Sequence, residues 1–142
     1  MSTLGAAISA SASALSAERT RIEAAVSNLA NAESTRSVNG GPYRRRDVVL
    51  RSDPVERFDV ALGRATATGV AVAQVVEDAA EFRRRYEPSH PDADADGFVA
   101  LPNVDAPLEM VDMLGAARAY QANLAAIGIV RDLVARALEL GK

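Results

Sequence analysis

The 142-residue chain has no cysteine, no tryptophan and a single histidine, with three phenylalanines and three tyrosines. Without cysteine there are no disulfides, no thiolate metal sites and no thiol catalysis, and the redox compartment leaves no mark on the sequence. The histidine, His90, stands between Ser89 and Pro91 in a loop-like stretch. A histidine zinc site or a Ser-His-Asp triad would rest on it alone, so it reads as a solvated loop residue. No run approaches the roughly 18 apolar residues of a membrane span. The opening MSTLGAAISASASALSAERT has no basic residue ahead of its apolar letters, and is read as neither a secretory signal nor an anchor. A net charge of −3 argues against nucleic-acid binding through wholesale phosphate neutralisation.

What is present above all is alanine. Hydrophobic residues make up 49% of the chain, enough for one domain's core. Because alanine dominates them, burial per residue is low and helix propensity high, which favours long helices over a compact ball. Leu4, Ile8, Ser11, Leu15, Glu18, Ile22, Ala25 or Val26, and Leu29 step by four and three, the spacing of a heptad seam. This predicts a helix from an N-cap at Ser2 or Thr3 to about Ala30, roughly 40 Å long. Met110, Met113, Ala117, Tyr120, Leu124, Ile127, Arg131, Val134 and Leu138 repeat the pattern, broken only by Arg131. Here Asp105 is the expected N-cap, Pro107 lies in the first turn and Gly141 marks the stop. Gly115 and Gly128 each cost about 1 kcal/mol against alanine inside a helix, and make sense where another backbone comes close.

Between the helices the composition shifts towards charge, proline and β-branched residues. Asp47–Leu50 and Gly69–Val76 are valine-rich runs suited to strands, the second bounded by Gly69 and by Glu77-Asp78. Residues 54–66 suit a short helix, and 87–107, with Pro88, Pro91, Pro102 and Pro107, reads as an extended loop. The expected fold is α+β: residues 1–32 and 105–142 form a coiled-coil-like helical hairpin, and residues 33–104 a small β-rich module. Neither seam is expected to bury itself on so small a module. Each must find the other helix or another chain, which is the organisation of a polymer subunit.

Three motifs invite chemistry. In DADADG, Asp92, Asp94, Asp96 and Gly97 match the opening of an EF-hand calcium loop. The twelfth position is Asn103 instead of a bidentate Glu, and Pro91 and Pro102 stand where helices are needed, so a turn of solvated aspartates is the better reading. Two basic triplets, Arg44-Arg45-Arg46 and Arg83-Arg84-Arg85, sit beside Tyr43 and Tyr86. On strands such triplets split between two faces, and pairing with carboxylates of the same module or of a neighbouring subunit is preferred to a phosphate surface. Gly40-Gly41-Pro42 lacks the Lys-Ser or Lys-Thr of a phosphate loop. An enzyme has no motif behind it, no cofactor is called for, and the competing reading is a small calcium- or phosphate-binding interaction module.

The stretch NLANAEST, with Asn28 and Asn31 bracketing Leu29 and Ala30 and followed by Ala32, closes the first helix. Asparagine suits a helix end that must become a loop, since its side chain bonds backbone groups and tolerates left-handed conformation. Taken with Ala14–Ile22 before it and GPYRR at 41–45 after it, it resembles the N-terminal signature of bacterial flagellar rod and hook axial proteins, and within them the proximal-rod FlgC family. Tyr86-Glu87-Pro88, residues 90–94, Pro102-Asn103-Val104, Glu109–Met113 and Ala119–Asn123 resemble the same family in the same order. Asp105–Leu108 departs from its usual lead into the last helix, and Glu33-Ser34 stands where an acidic residue followed by Thr is common.

The resemblance implies a subunit of the rod that crosses the periplasm and carries torque from motor to hook. It also implies export by the flagellar type III apparatus, and assembly with copies of itself, other rod proteins and basal-body ring or adaptor proteins, with neither nucleic acid nor a membrane span involved. The residues expected at the assembly interface are Leu4, Ile8, Leu15, Ile22, Val26, Leu29, Met110, Met113, Ala117, Tyr120, Leu124, Ile127, Val134 and Leu138.

Overall fold

The computed structural model describes residues 3–38, 40–54 and 68–140. Its architecture is α+β: a long helix at each end of the chain and two separate two-stranded antiparallel ladders between them. Helix α1 spans Thr3–Ala30 and α2 spans Ala106–Leu140. The caps expected at Ser2 and Gly141, and the short helix expected over most of 54–66, lie outside the described residues. Pro54 itself ends a strand.

Helix α1 is built from alanine and serine, with Ser13 and Thr20 bonding back to the carbonyls of Ala10 and Ser16. It stops without a left-handed residue. Asn31 Nδ2 donates to the carbonyl of Ser27 at 2.9 Å, and Ser34 donates to Asn31 Oδ1. The Ala32 amide reaches back to Leu29, tightening the last turn. Of the two properties that suit asparagine to a helix end, backbone bonding is the one used here. Among the described residues positive φ occurs only at Gly40, Gly41 and Gly97, and the asparagines act through their amides.

The two helices pack along one another and run antiparallel. Asn28, near the end of α1, bonds Glu109 in the first turn of α2, and Arg19, further back, sits in the field of Tyr120. Asp105 caps α2, its carboxylate facing the Leu108 amide at 3.4 Å and its carbonyl taking the Glu109 amide at 3.0 Å.

The face of α2 turned inward is displaced by one residue from the expected seam at alternate positions. Glu109 and Ala116 are buried, and Met113, Tyr120, Asn123, Ile127, Val130 and Val134 are half-buried. Arg131 stands outside this line and interrupts nothing. Alternate steps of three and four fit two seams sharing every second member, and the sequence pattern favoured the greasier one over the line that carries Glu109 and Asn123.

Strands β1 (Arg46–Pro54) and β2 (Thr68–Glu77) pair antiparallel from Arg46↔Glu77 to Pro54↔Thr68. A register shift after Val49 leaves Ala73 as the extra residue of a bulge. Gly69 is inside the strand instead of bounding it. It is buried against α1: a Cβ there would stand 2.6 Å from Ser13 Oγ, and that oxygen accepts the Val70 amide at 3.0 Å. So α1 also touches the middle segment, through Ser13 beside its seam.

Strands β3 (Arg83–Tyr86) and β4 (Phe98–Leu101) form the second ladder. β4 lies inside the segment read as a loop, where its alternation, Val99 and Leu101 buried and Phe98 and Ala100 exposed, is four residues long and framed by prolines. Ala32, Tyr43 and Val104 form the buried apolar cluster at the base of the hairpin, and Val99, Leu101 and Pro102 are buried as well.

Gly97 closes the β3–β4 turn at φ +80°, where a Cβ would come within 2.9 Å of the Tyr86 ring. Gly97→Ala is expected to lower stability by about 1–2 kcal/mol from the left-handed backbone alone, with a further steric share. Urea unfolding monitored by tyrosine fluorescence checks it.

Candidate assembly site

The described residues hold one buried polar knot, where the end of α1, the entry to β1 and the first turn of α2 meet. Asn28 is 1% exposed and Glu109 2%. Asn28 Nδ2 donates to the Arg46 carbonyl at 2.9 Å and to Glu109 Oε2 at 2.8 Å, while Oδ1 accepts the Arg46 amide and the Tyr43 hydroxyl, each at 2.9 Å. An asparagine amide offers two donors and two lone pairs, so its capacity is filled. The reversed amide would set donor against donor at Arg46 N and oxygen against carboxylate at Glu109, so the partners fix its orientation.

The neighbouring groups are satisfied in turn. Glu109 Oε1 receives Arg45 Nε at 2.5 Å, and the Arg45 guanidinium lies 3.7 Å from Asp47 and 3.6 Å from Asp112. Burial pulls the Arg45 pKa down, but the hydrogen bond and charge of Glu109, with Asp47 and Asp112, more than reverse this and leave it above its ordinary value. The Arg45 amide donates to Asn103 Oδ1 at 2.9 Å, and its carbonyl accepts the Asp78 amide at 2.8 Å. With Asn28 on Arg46, every backbone polar group of this dipeptide is bonded. No buried side-chain polar atom among the described residues lacks a partner.

The other arginines of the triplets also find partners within the chain. Arg44 donates to the Asp78 and Ala80 carbonyls and lies over Phe82. Arg83 bonds the Pro102 carbonyl, Arg84 pairs with Asp94, and Arg85 with Glu33 and Glu87. Two aspartates of DADADG are likewise engaged. Asp92 takes the Thr35 hydroxyl and Arg36; Asp94 accepts the Phe98 and Asp96 amides and holds Arg84. Among the described residues no three His, Asp or Glu side chains gather as a metal-ligand set, and no helix is long and apolar enough to cross a membrane. His90 Nδ1 accepts the Asp92 amide within the turn.

Of the expected interface residues, Ile8, Leu15, Ile22, Leu29, Met113, Ala117, Tyr120, Ile127 and Val134 are half-buried, and Leu4, Val26, Met110, Leu124 and Leu138 are exposed. A second stripe escaped the sequence reading. On the outer face of α2, Val111 (65% exposed), Leu114 (54%), Ile129 (61%), Leu133 (53%) and Leu140 (89%) align with Ala122 and Ala125, interrupted by Arg118 and Arg136. A Cβ at Gly115 or Gly128 would meet nothing within 4 Å beyond the backbone of α2 itself, so no other described part of the chain comes close there.

Over residues 95–140, β4 and α2 match the family model described as flagellar basal body rod FlgEFG protein C-terminal. Along nearly its whole length the chain is similar to the flagellar basal-body rod protein FlgC of Bacillus subtilis, 43% identical over 95% of this chain and 96% of that one. The chain belongs to the FlgC family. FlgC of Salmonella typhimurium is 44% identical over 92% of each chain, and FlgC of Borreliella burgdorferi 34% identical over 96% of this chain and 97% of its own. As a FlgC family member the protein is a structural component of the flagellar basal-body rod.

Asn28→Ala strands Glu109 Oε2 and the Arg46 peptide, while the Tyr43 hydroxyl keeps the Ser27 hydroxyl at 3.2 Å. At about 1–3 kcal/mol for an orphaned buried group, with water relieving part of it, the expected loss is about 2–4 kcal/mol, read by chemical denaturation. A pH effect follows from the turn. Hydrogen bonding from Thr35, then Arg36, holds Asp92 below the usual carboxylate range, and the Phe98 amide, with Arg84, does the same for Asp94. Depressed carboxylates stabilise the fold above their unfolded pKa of about 3.9 and lose that contribution as pH falls through the folded value. Carbon-detected NMR titration should find both midpoints below about 3.9.

Proposed function

We propose that this rod protein polymerises through its helical ends, residues 1–32 and 105–142, with copies of itself and with other axial proteins, and that residues 33–104 form an outer module on that shared helical core. The observation that carries this is the outer stripe of α2. A helix face lined with large apolar side chains is normally turned towards a core, yet in the single chain α1 covers the inner face of α2 and leaves this stripe exposed. Large apolar side chains rarely line up over such a length on a monomer's surface unless something docks there. The glycines at 115 and 128 leave room beside that stripe for a second helix to approach closely. The exposed members of the expected interface, Leu4 and Val26 on α1 and Met110, Leu124 and Leu138 on α2, offer apolar contacts away from that stripe.

In such an array one chain's outer face meets a different face of its neighbour, a heterologous contact that propagates instead of closing. Torque from motor to hook then passes through many small apolar contacts, and stiffness comes from their number. Basal-body ring or adaptor proteins are the further partners. Export by the flagellar type III apparatus is the route that goes with this place in the rod.

Ile129→Glu with Leu133→Glu tests this, because neither side chain supports the monomer's fold. The purified variant should keep the parent's helix content. In a strain deleted for the gene it should fail to restore swimming and leave rod growth arrested, where the parent gene restores both. Full swimming with the variant would overturn the proposal.

A further inference from the structure

We propose that the Asn28–Glu109–Arg45 knot is a register clamp, fixing the axial alignment of α1 against α2 at the base of the hairpin and leaving the far end free to splay.

The case rests on how burial is distributed. Within the helices the buried residues are Ala17, Ala25 and Asn28 on α1 and Glu109 and Ala116 on α2. Before Ala17 on α1 and after Ala116 on α2, no described residue is buried. Ile8 and Leu15 on α1 and Tyr120, Ile127, Val130 and Val134 on α2 are only half-buried there and recur every three or four residues, so a shift of one helical turn, about 5.4 Å, sets similar side chains against one another and sacrifices less packing than it would in a closed core. Hydrogen bonds do not tolerate such a shift. A displacement of that size would break Asn28 from the Arg46 peptide, Tyr43 and Glu109 together, and would carry the buried Glu109 carboxylate away from Arg45. A single buried polar group that fixes helix register is the best-attested use of such groups. Here it acts between helices of one chain and is anchored to a β-strand's backbone, so the strand entry is the fixed point against which both helices are set.

Alignment matters to the rod reading because the outer stripe of α2 and the exposed face of α1 reach a neighbour together only in one register. The proposal rests on that reading for its purpose. Its test is made on the purified chain and does not depend on polymerisation.

The absence of cysteine allows spin labels at two exposed base positions, Val26 and Val111, or at two exposed far positions, Ala7 and Asp132. Double electron–electron resonance on the parent chain should give a narrow distance distribution for the base pair and a broader one for the far pair. Asn28→Ala should add, in both pairs, a population displaced by about one helical turn, ~5.4 Å. Gly97→Ala, which destabilises the chain away from the knot, should add none. The proposal is overturned if folded Asn28→Ala keeps the parent's distributions, if Gly97→Ala displaces them equally, or if the parent's far pair is as narrow as its base pair. The last comparison needs no variant and decides the matter even where Asn28→Ala does not fold.

Discussion

One buried amide holds the molecule together at the point where its elements converge. Asn28 ends α1 with every donor and acceptor committed, to the peptide of Arg46, the ring hydroxyl of Tyr43 and the carboxylate of Glu109. Alanine-rich helices bury little area per residue, and the apolar cluster beside the knot is small, so hydrophobic burial alone specifies this junction weakly. Directional bonds supply what packing cannot: a unique arrangement of three elements drawn from distant parts of the chain. Leaving any of these buried groups unpaired is costly, which makes the arrangement close to all-or-none.

From that junction the helices run outward with steadily less to hold them, and α2 shows water an apolar face that α1 does not reach. The fold is thus closed at one end and open along the other. The ion pairs of the arginine triplets belong to a different layer of the design. Most are exposed and individually worth little, but they draw the two ladders and the acidic turn onto the hairpin's base.

Helix periodicity was legible in the sequence because long repeats average out local accidents, and both long helices lie where alanine, caps and seam spacing put them. The short elements were less so. β4 is four residues among prolines, and its alternation has no length in which to declare itself. The seam on α2 was read one residue off at alternate positions, because hydrophobicity alone favours Met110 and Leu124 over Glu109 and Asn123. Only the buried partners across the hairpin reveal why polar residues face inward there. Glu109 and Arg45 carried no sequence signal as a pair, being separated by most of the module. Asn28 did carry one, in the NLANA stretch, but its role in bonding a strand's backbone depends on a chain reversal that spacing cannot disclose.

The two apolar lines on α2 do not keep the same pitch. The inner one, from Glu109 through Met113, Ala116, Tyr120, Asn123, Ile127 and Val130 to Val134, advances in strict heptads, and so winds left-handed about the helix. The outer one, from Val111 to Leu140, advances by about 3.6 residues and runs nearly straight. A helix laid on the outer line therefore crosses α2 at a different inclination from α1.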